Sequence, residues 1–334
     1  MDFRFDFRRY TLPFRMPVRT ARGPWLAREG VYVRIGRPGG MTGYGEASPI
    51  PHFGTETVDA AEAFCRSLGD KVDDQVLSRI PENLCATRNA VASAMEAGAG
   101  AAIHRSLAVA ALLPAGRASL AAAPPLADAG FRVFKWKVAV GPAAEERAIL
   151  GDLIGALPSG SRIRLDANGG WNRREAQGWL DLASELPIEF VEQPVARDSR
   201  GAADTLKGLA ADYPVPIALD ESIAGDGDVG PWLEAGWPGY FVIKPSLLGD
   251  VGGVLGRLLA ARARVVFSSS LETGLGAQAA LRWAFAWTGT MTALGFGVWP
   301  LFADSRFDGP SAVPFIRAED IERISPEALW NAAS

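Results

Sequence analysis

Six side chains carry the chemistry open to this chain. Lys135 and Lys137 stand two residues apart in the run FRVFKWKVAV. Asp166 closes RIRLD, Glu192 closes IEFVE, Asp220 follows PIAL and Lys244 follows YFVI. Each sits at the polar end of a short apolar run, and from Lys137 onward successive members lie 29, 26, 28 and 24 residues apart. Three carboxylates with no histidine or cysteine beside them form a hard, all-oxygen donor set, which suits Mg²⁺, with Mn²⁺ as a substitute. The whole chain has two histidines, His52 and His104, and two cysteines, Cys65 and Cys85, with no CxxC pair. That is too little for a histidine-rich metal site or a disulfide framework. A neutral lysine can remove a proton α to a carboxylate, provided its free pKa of ~10.4 falls toward ~7–8. A second lysine and a divalent cation close by supply that fall by like-charge repulsion. With Lys244 on the far side of the acids, lysines flank the metal position, so both faces of a bound carboxylate substrate can be reached.

The elements that must position these residues are legible in the same runs. Lys135 and Lys137 share one face of a strand, and Phe134 and Trp136 share the other. Strand-like runs at 131–140, 162–168, 188–194, 216–222, 240–246, 264–270 and 294–299 alternate with helix-like stretches at 143–157, 173–186, 199–212, 228–235, 251–261 and 273–288. A short first strand is expected at 119–123. Strand and helix in strict alternation predict a parallel sheet covered by helices. In an open sheet, charges at the ends of consecutive strands would be strung along one edge. In a closed barrel they converge on one mouth, where barrel enzymes place their chemistry, and the repeat is near the ~31 residues of a ~250-residue barrel.

The first 115 residues read differently. Loose alternation at 3–13, strand character at 31–35 and glycines at 36, 39, 40, 43 and 45 predict a small antiparallel sheet. Ala-, Glu-, Met- and Leu-rich stretches at 57–68 and 87–108 predict helices. The expected fold is therefore α/β, a (β/α)7β modified TIM barrel over 116–300 with an N-terminal α+β capping domain over 1–115. Residues 301–334 are expected to return and pack on the cap. Composition excludes other classes. The chain has 334 residues, is 48% hydrophobic and 22% charged, and carries a formal net charge of −4. It has no basic excess to attract nucleic acid, no apolar run long enough to span a bilayer and no secretory leader, so a soluble cytoplasmic protein is expected. Gly225–Gly230 fits Gly-x-Gly-x-x-Gly, but its two aspartates would repel a pyrophosphate and its helix is short. It is read as a loop.

Taken together, these residues resemble the enolase superfamily, in the muconate-lactonizing-type branch that carries a lysine on each face of the site. Lys135-Trp136-Lys137, Arg164-Leu165-Asp166-Ala167-Asn168, Glu192-Gln193-Pro194, Asp220-Glu221-Ser222 and Lys244-Pro245-Ser246 match its barrel motifs. The cap runs GYGEASP (43–49) and PHFGTET (51–57) and the segment SSSLET (268–273) look most like the o-succinylbenzoate synthase family within that branch. The resemblance implies a Mg²⁺-dependent syn-dehydration of 2-succinyl-6-hydroxy-2,4-cyclohexadiene-1-carboxylate, as used in menaquinone and phylloquinone synthesis. It implies Asp166, Glu192 and Asp220 as metal ligands, Lys137 as base and then acid, and Lys244 as the opposing charge on the enediolate. Lys135 would aid the carboxylate and tune Lys137. Arg164, Asn168, Ser268 and Ser270 would bind substrate, with Glu46 and His52 as further cap candidates. Racemases, dipeptide epimerases and cycloisomerases share the lysine and acid set, so they remain alternatives. A non-catalytic barrel and a nucleotide-dependent α/β protein are the readings of a different class.

Overall fold

The computed structural model describes every residue except 1, 21, 22, 38, 96–99, 312 and 334. Its N-terminal part is an antiparallel sheet ordered β3-β2-β1-β4, built from β1 (Phe3–Thr20), β2 (Gly23–Gly36), β3 (Thr42–Ala47) and β4 (Lys71–Val72). β1 and β2 form a long hairpin with Val18 opposite Trp25 near its tip. Val31, Val33 and Ile35 alternate inward and pack on the helices Val58–Ser67 and Cys85–Ala94. Gly43 and Gly45 explain how close the second helix lies. A Cβ at either would meet the carbonyl oxygen of Ala94 or Ala90 at 1.9 Å. The expected helix over 87–108 ends earlier, at Ala94. Residues 96–99 of that stretch lie outside the described residues, and 106–108 form a strand, β5 (Ser106–Ala108).

The second part is a seven-stranded parallel sheet that runs in chain order. It comprises β6 (Ala111–Leu113), β7 (Val133–Lys137), β8 (Arg162–Asp166), β9 (Ile188–Glu192), β10 (Ile217–Leu219), β11 (Tyr240–Ile243) and β12 (Arg264–Phe267). Helices separate consecutive strands from β6 to β12 and cover the outside. The stretch 291–295 closes the circle. It bridges Val265 and Ser268 on one side and Val109 on the other, all in parallel sense. The backbone of Leu294 both donates to Ala108 O (2.8 Å) and accepts from Ala110 (2.9 Å). The closing strand thus lies slightly before the expected 294–299.

One expectation is corrected. Residues 119–123 are not the first strand but part of the helix Ala118–Asp128; the first strand of the barrel sheet is β6, and Ala123 packs its methyl into the core. Alanine-rich sequence favours helix, and the three-residue strand is too short to show a period. Residues 225–228 of the glycine run are a turn, closed by Asp228 accepting from the amides of Ala224 and Gly225, while Val229 and Gly230 begin the short helix Val229–Glu234. Residues 301–303 run back along β1, where Phe302 pairs with Phe14. A last strand, β13 (Phe315–Arg317), pairs with β5, and Trp330 lies under the guanidinium groups of Arg8 and Arg34. No helix among the described residues is long and apolar enough to cross a membrane.

Candidate active site

The strand pleat decides which side chains reach the barrel mouth. On β7, Phe134 and Trp136 are fully buried against the outer helices, which turns Lys135 and Lys137 inward. The Lys135 ammonium lies 2.8 Å from Asp166 Oδ2 and 2.7 Å from Glu192 Oε1. Four strands further round, Lys244 bonds the Asp220 carboxylate and stands 4.5 Å from the centre of the Phe53 ring, which comes from the cap. The acids on β8, β9 and β10 are thus flanked by lysines on β7 and β11, in the order that strand order imposes.

Two residues in left-handed backbone hold the acidic strand ends in register. Asn168 (φ 44°) donates its backbone N–H to Asp166 Oδ1 at 3.1 Å and its side-chain amide to Glu221 Oε1 at 3.1 Å. Gln193 (φ 38°) is fully buried, and its Oε1 accepts from the amides of Asp220 and Ser222 at 3.0 and 3.1 Å. Its Nε2 donates to Ser222 Oγ at 2.9 Å. Gln193 therefore fixes the end of β10 relative to the end of β9, and with it Asp220 relative to Glu192.

A cavity of about 660 Å³ opens above these groups. The barrel contributes the lysines, Asp166, Asn168, Asp220, Glu221 and Ser268–Leu271. The cap contributes Val18, Trp25 and the stretch 50–54, including His52. Ser268 donates to Gly295 O (3.3 Å) and Ser270 Oγ donates to Glu272 Oε2 (2.8 Å). Arg164 is not brought into this cavity. It lies two residues deeper on β8, fully buried, with its Nε 2.6 Å from Glu189 Oε2 and its guanidinium over the Phe190 ring.

Burial dominates the electrostatics. It works against the charge on Lys135, yet Asp166 and Glu192 outweigh it and hold this ammonium above the usual lysine range. Burial lowers Lys137, and Lys135 adds to the effect against the opposing pull of Asp166 and Glu221. Lys244 is pushed down to about 7, first by burial and also by Lys135, with the fields of Glu192, Asp166 and Glu272 opposing. Burial and then Asp166 raise Glu192, and burial followed by Asp166 and Glu192 raises Glu221 to about 7. Like-charge crowding of buried carboxylates is the signature of a place that gains from added positive charge.

Comparison with known proteins agrees with this geometry. Residues 117–314 match the enolase C-terminal domain-like family. The o-succinylbenzoate synthase of Thermosynechococcus vestitus is 39% identical over 303 residues, covering 88% of this chain and 92% of its own. The chain belongs to the enolase superfamily. A solved o-succinylbenzoate synthase of Thermosynechococcus elongatus, complexed with Mg in its active site, superposes with a TM-score of 0.84. It covers 98% of this chain and 99% of its own at 36% identity. A hydrophobic dipeptide epimerase of Roseobacter litoralis is 28% identical over 66% of this chain and 69% of its own.

For an enolase-superfamily enzyme the donor set is the test of a metal. Among the described residues no trio of acidic, histidine or cysteine side chains already encloses one point as ligands would. The positions between the acids are taken by cations of the protein itself, Lys135 between Asp166 and Glu192 and Lys244 on Asp220. These ammonium groups act as stand-in cations. The buried acids are all oxygen donors, their crowding raises Glu192, and together they fit a hard divalent ion. The structure also adds residues that sequence reasoning did not single out. Glu221 carried a signal, an acid beside Asp220 at a strand end. Gln193 sat in a quoted motif without a role. Phe53 likewise sat in the quoted cap run without a role, and Arg197 gave no signal, because it meets the site only through loops: it donates to the carbonyls of Phe53 and Glu221, both at 3.0 Å.

Proposed function

We propose that this chain is an o-succinylbenzoate synthase, a carbon–oxygen lyase that dehydrates 2-succinyl-6-hydroxy-2,4-cyclohexadiene-1-carboxylate in the synthesis of menaquinone or phylloquinone. The observation that carries the reading is the 39% identity to the Thermosynechococcus synthase across 88% of this chain. In this reading residues 1–115 are the cap, 116–300 the catalytic barrel and 301–334 a segment returning to the cap, in the cytoplasm.

Asp166, Glu192 and Asp220 would hold Mg²⁺, which supplies positive charge for the substrate's carboxylate. Lys137 takes the α-proton. Its burial and the neighbouring Lys135 both favour the neutral form that a base requires. The C–H electron pair moves toward the carboxylate, and Lys135 meets that charge. The protonated Lys137 then returns its proton to the departing 6-hydroxyl on the same face, so that water leaves and the ring becomes aromatic. Lys244 faces the other side, where its charge stabilises the electron-rich carboxylate. Asn168, Ser268 and Ser270 border the space left for substrate, and the apolar cap wall of Val18, Trp25 and Ile50 suits a carbocyclic ring.

The epimerase relative favours a second reading, in which Lys137 and Lys244 exchange protons on opposite faces of an N-acylamino acid or dipeptide. One experiment separates them. Purified protein with Mg²⁺ should convert the cyclohexadiene carboxylate with loss of its diene absorbance, and EDTA should stop it. Absence of that conversion, with deuterium exchange at the α-carbon of N-succinylamino acids, would transfer the chain to the epimerase reading.

A further inference from the structure

The geometry points to Arg28 of the cap as the positioning residue that sets the serine rim of the cavity against the cap wall, an inference that rests on the proposed function for its kinetic part. Arg28 lies on β2, outside the residues given a role above, and is 1% exposed. A buried guanidinium is costly unless its donors are met. Here they are met almost wholly by backbone carbonyls from two different walls. Nη1 donates to Pro49 O at 2.8 Å and Nη2 donates to Ser48 O, both at the root of the cap stretch that carries Ile50, His52 and Phe53. Nε donates to Leu271 O at 3.1 Å and Nη2 reaches Ser270 O at 3.4 Å, both on the rim after β12. The Trp25 ring, itself part of the cavity wall, stacks 5.0 Å from the guanidinium. A single rigid fork therefore spans the gap between the cap wall and the serine rim.

The rim end of this bridge is under strain. Leu271 has φ 61°, a left-handed conformation that non-glycine residues seldom adopt. Two contacts hold it there, the Arg28 bond to its carbonyl and the Ser269 Oγ bond to its N–H at 2.9 Å. Turning Leu271 back would swing the carbonyl away from Arg28 and disturb the Ser269 and Ser270 hydroxyls, which both converge on Glu272 Oε2 at 2.9 and 2.8 Å. Arg28 thus acts on substrate through the shape of 268–271, not by touching it. A lysine has the charge but a single point of donation, so it cannot replace the fork.

The test uses the full chain with Mg²⁺ and the cyclohexadiene carboxylate, together with amide hydrogen exchange over 268–276, which needs no substrate. Arg28→Lys should raise KM at least tenfold with kcat within threefold of wild type, and speed exchange of the rim amides at least tenfold. Leu271→Gly adopts the left-handed backbone without the bridge. Combined with Arg28→Lys it should restore slow rim exchange and raise KM by less than the product of the two single effects. Should Arg28→Lys not fold, Leu271→Val tests the same point with Arg28 intact, because a β-branched residue resists φ 61° and should reproduce the raised KM and the fast exchange. Wild-type KM and exchange in Arg28→Lys, or in Leu271→Val, would overturn the inference, as would effects of Arg28→Lys and Leu271→Gly that simply multiply. If the wild-type protein does not dehydrate the substrate, the proposed function falls, and the exchange measurements alone decide the role of Arg28.

Discussion

Glu46 offers a sharp test of how the cap is joined to the barrel. Its side chain is 2% exposed, on β3, and its carboxylate accepts four hydrogen bonds. Oε1 accepts from Tyr10 OH (2.6 Å) and the amide of Thr273 (3.0 Å). Oε2 accepts from Thr273 Oγ1 (2.5 Å) and the amide of Gly276 (2.8 Å). Thr273 N-caps the barrel helix Gly274–Ala286, so the charge also meets the positive end of that helix. Glu46→Gln keeps the shape but turns one oxygen into a donor. In one orientation the new NH₂ faces the Gly276 N–H and a Thr273 hydroxyl that already accepts from Tyr32 OH at 2.8 Å. In the other it faces the Thr273 N–H. Either way one backbone amide is orphaned, which costs about 1–3 kcal/mol, and the surviving bonds lose their charge assistance. Adding about 0.3–1 kcal/mol for the helix end gives a loss of about 3 kcal/mol. At about 2 °C per kcal/mol the melting midpoint falls by about 6 °C. Urea unfolding followed by tryptophan fluorescence measures it. A loss below about 1 kcal/mol would refute the reasoning, since it would mean that the carboxylate's bonds are replaceable.

Three further outcomes are expected. Lys137→Ala should lower dehydration by about 10²–10⁴-fold, the usual worth of a positioned acid–base group. Lys244→Ala should lose nearly all turnover, and Lys244→Arg should keep part of it by keeping the charge; a normal rate in Lys137→Ala with a dead Lys244→Ala would reverse the two roles. Glu192→Gln should weaken Mg²⁺ by more than about 100-fold in calorimetric titration, since even outer partners of metal ligands are worth about 10–100-fold; unchanged Mg²⁺-dependent turnover would exclude it as a ligand. Burial, and then Glu62, raise the Cys65 thiol from 9.0 to about 12. The unfolded chain therefore releases this proton first, and stability falls as pH rises from about 9 toward 12. The loss is about 1.4 kcal/mol at pH 10 and about 4 kcal/mol at the upper end. Cys65→Ala should lack this component in urea titrations at pH 7.5 and 10.

The chemistry-bearing residues were legible because strand-end position is a local property. A lysine or carboxylate that closes an apolar run shows in the one-dimensional pattern, and the strand repeat shows that they converge. The first barrel strand was not legible, because three residues of β6 carry no period and the apolar run at 119–123 reads as a strand although its alanines favour helix. Arg164 is assigned to the substrate by the family resemblance alone. The pleat does turn it to the same side, but two residues of rise put it below the cavity, where Glu189 meets its charge. Arg28 could not be found from sequence at all, since its partners are backbone carbonyls at 48, 49, 270 and 271. Backbone acceptors have no residue type, so nothing in the letters marks them.

Closure through 291–295 has a consequence for how the chain is made. The strand that completes the barrel pairs with Val109, and the stretch that follows pairs with Phe14, so residues 294 and 302 are joined to partners far back in the chain. During synthesis at about 5–20 residues per second, the β7–β11 lysines and acids emerge well before the partner that seals their circle. Until then β12 presents an open edge, the kind of surface that pairs with the wrong strand. The active site is thus among the last features to become water-tight, and a nascent chain stalled before residue 291 would hold every acid and lysine of the site while lacking the closed wall that aims them. Long-range pairing of this kind also slows refolding from denaturant, because segments distant in sequence must meet before their contacts can hold the rest.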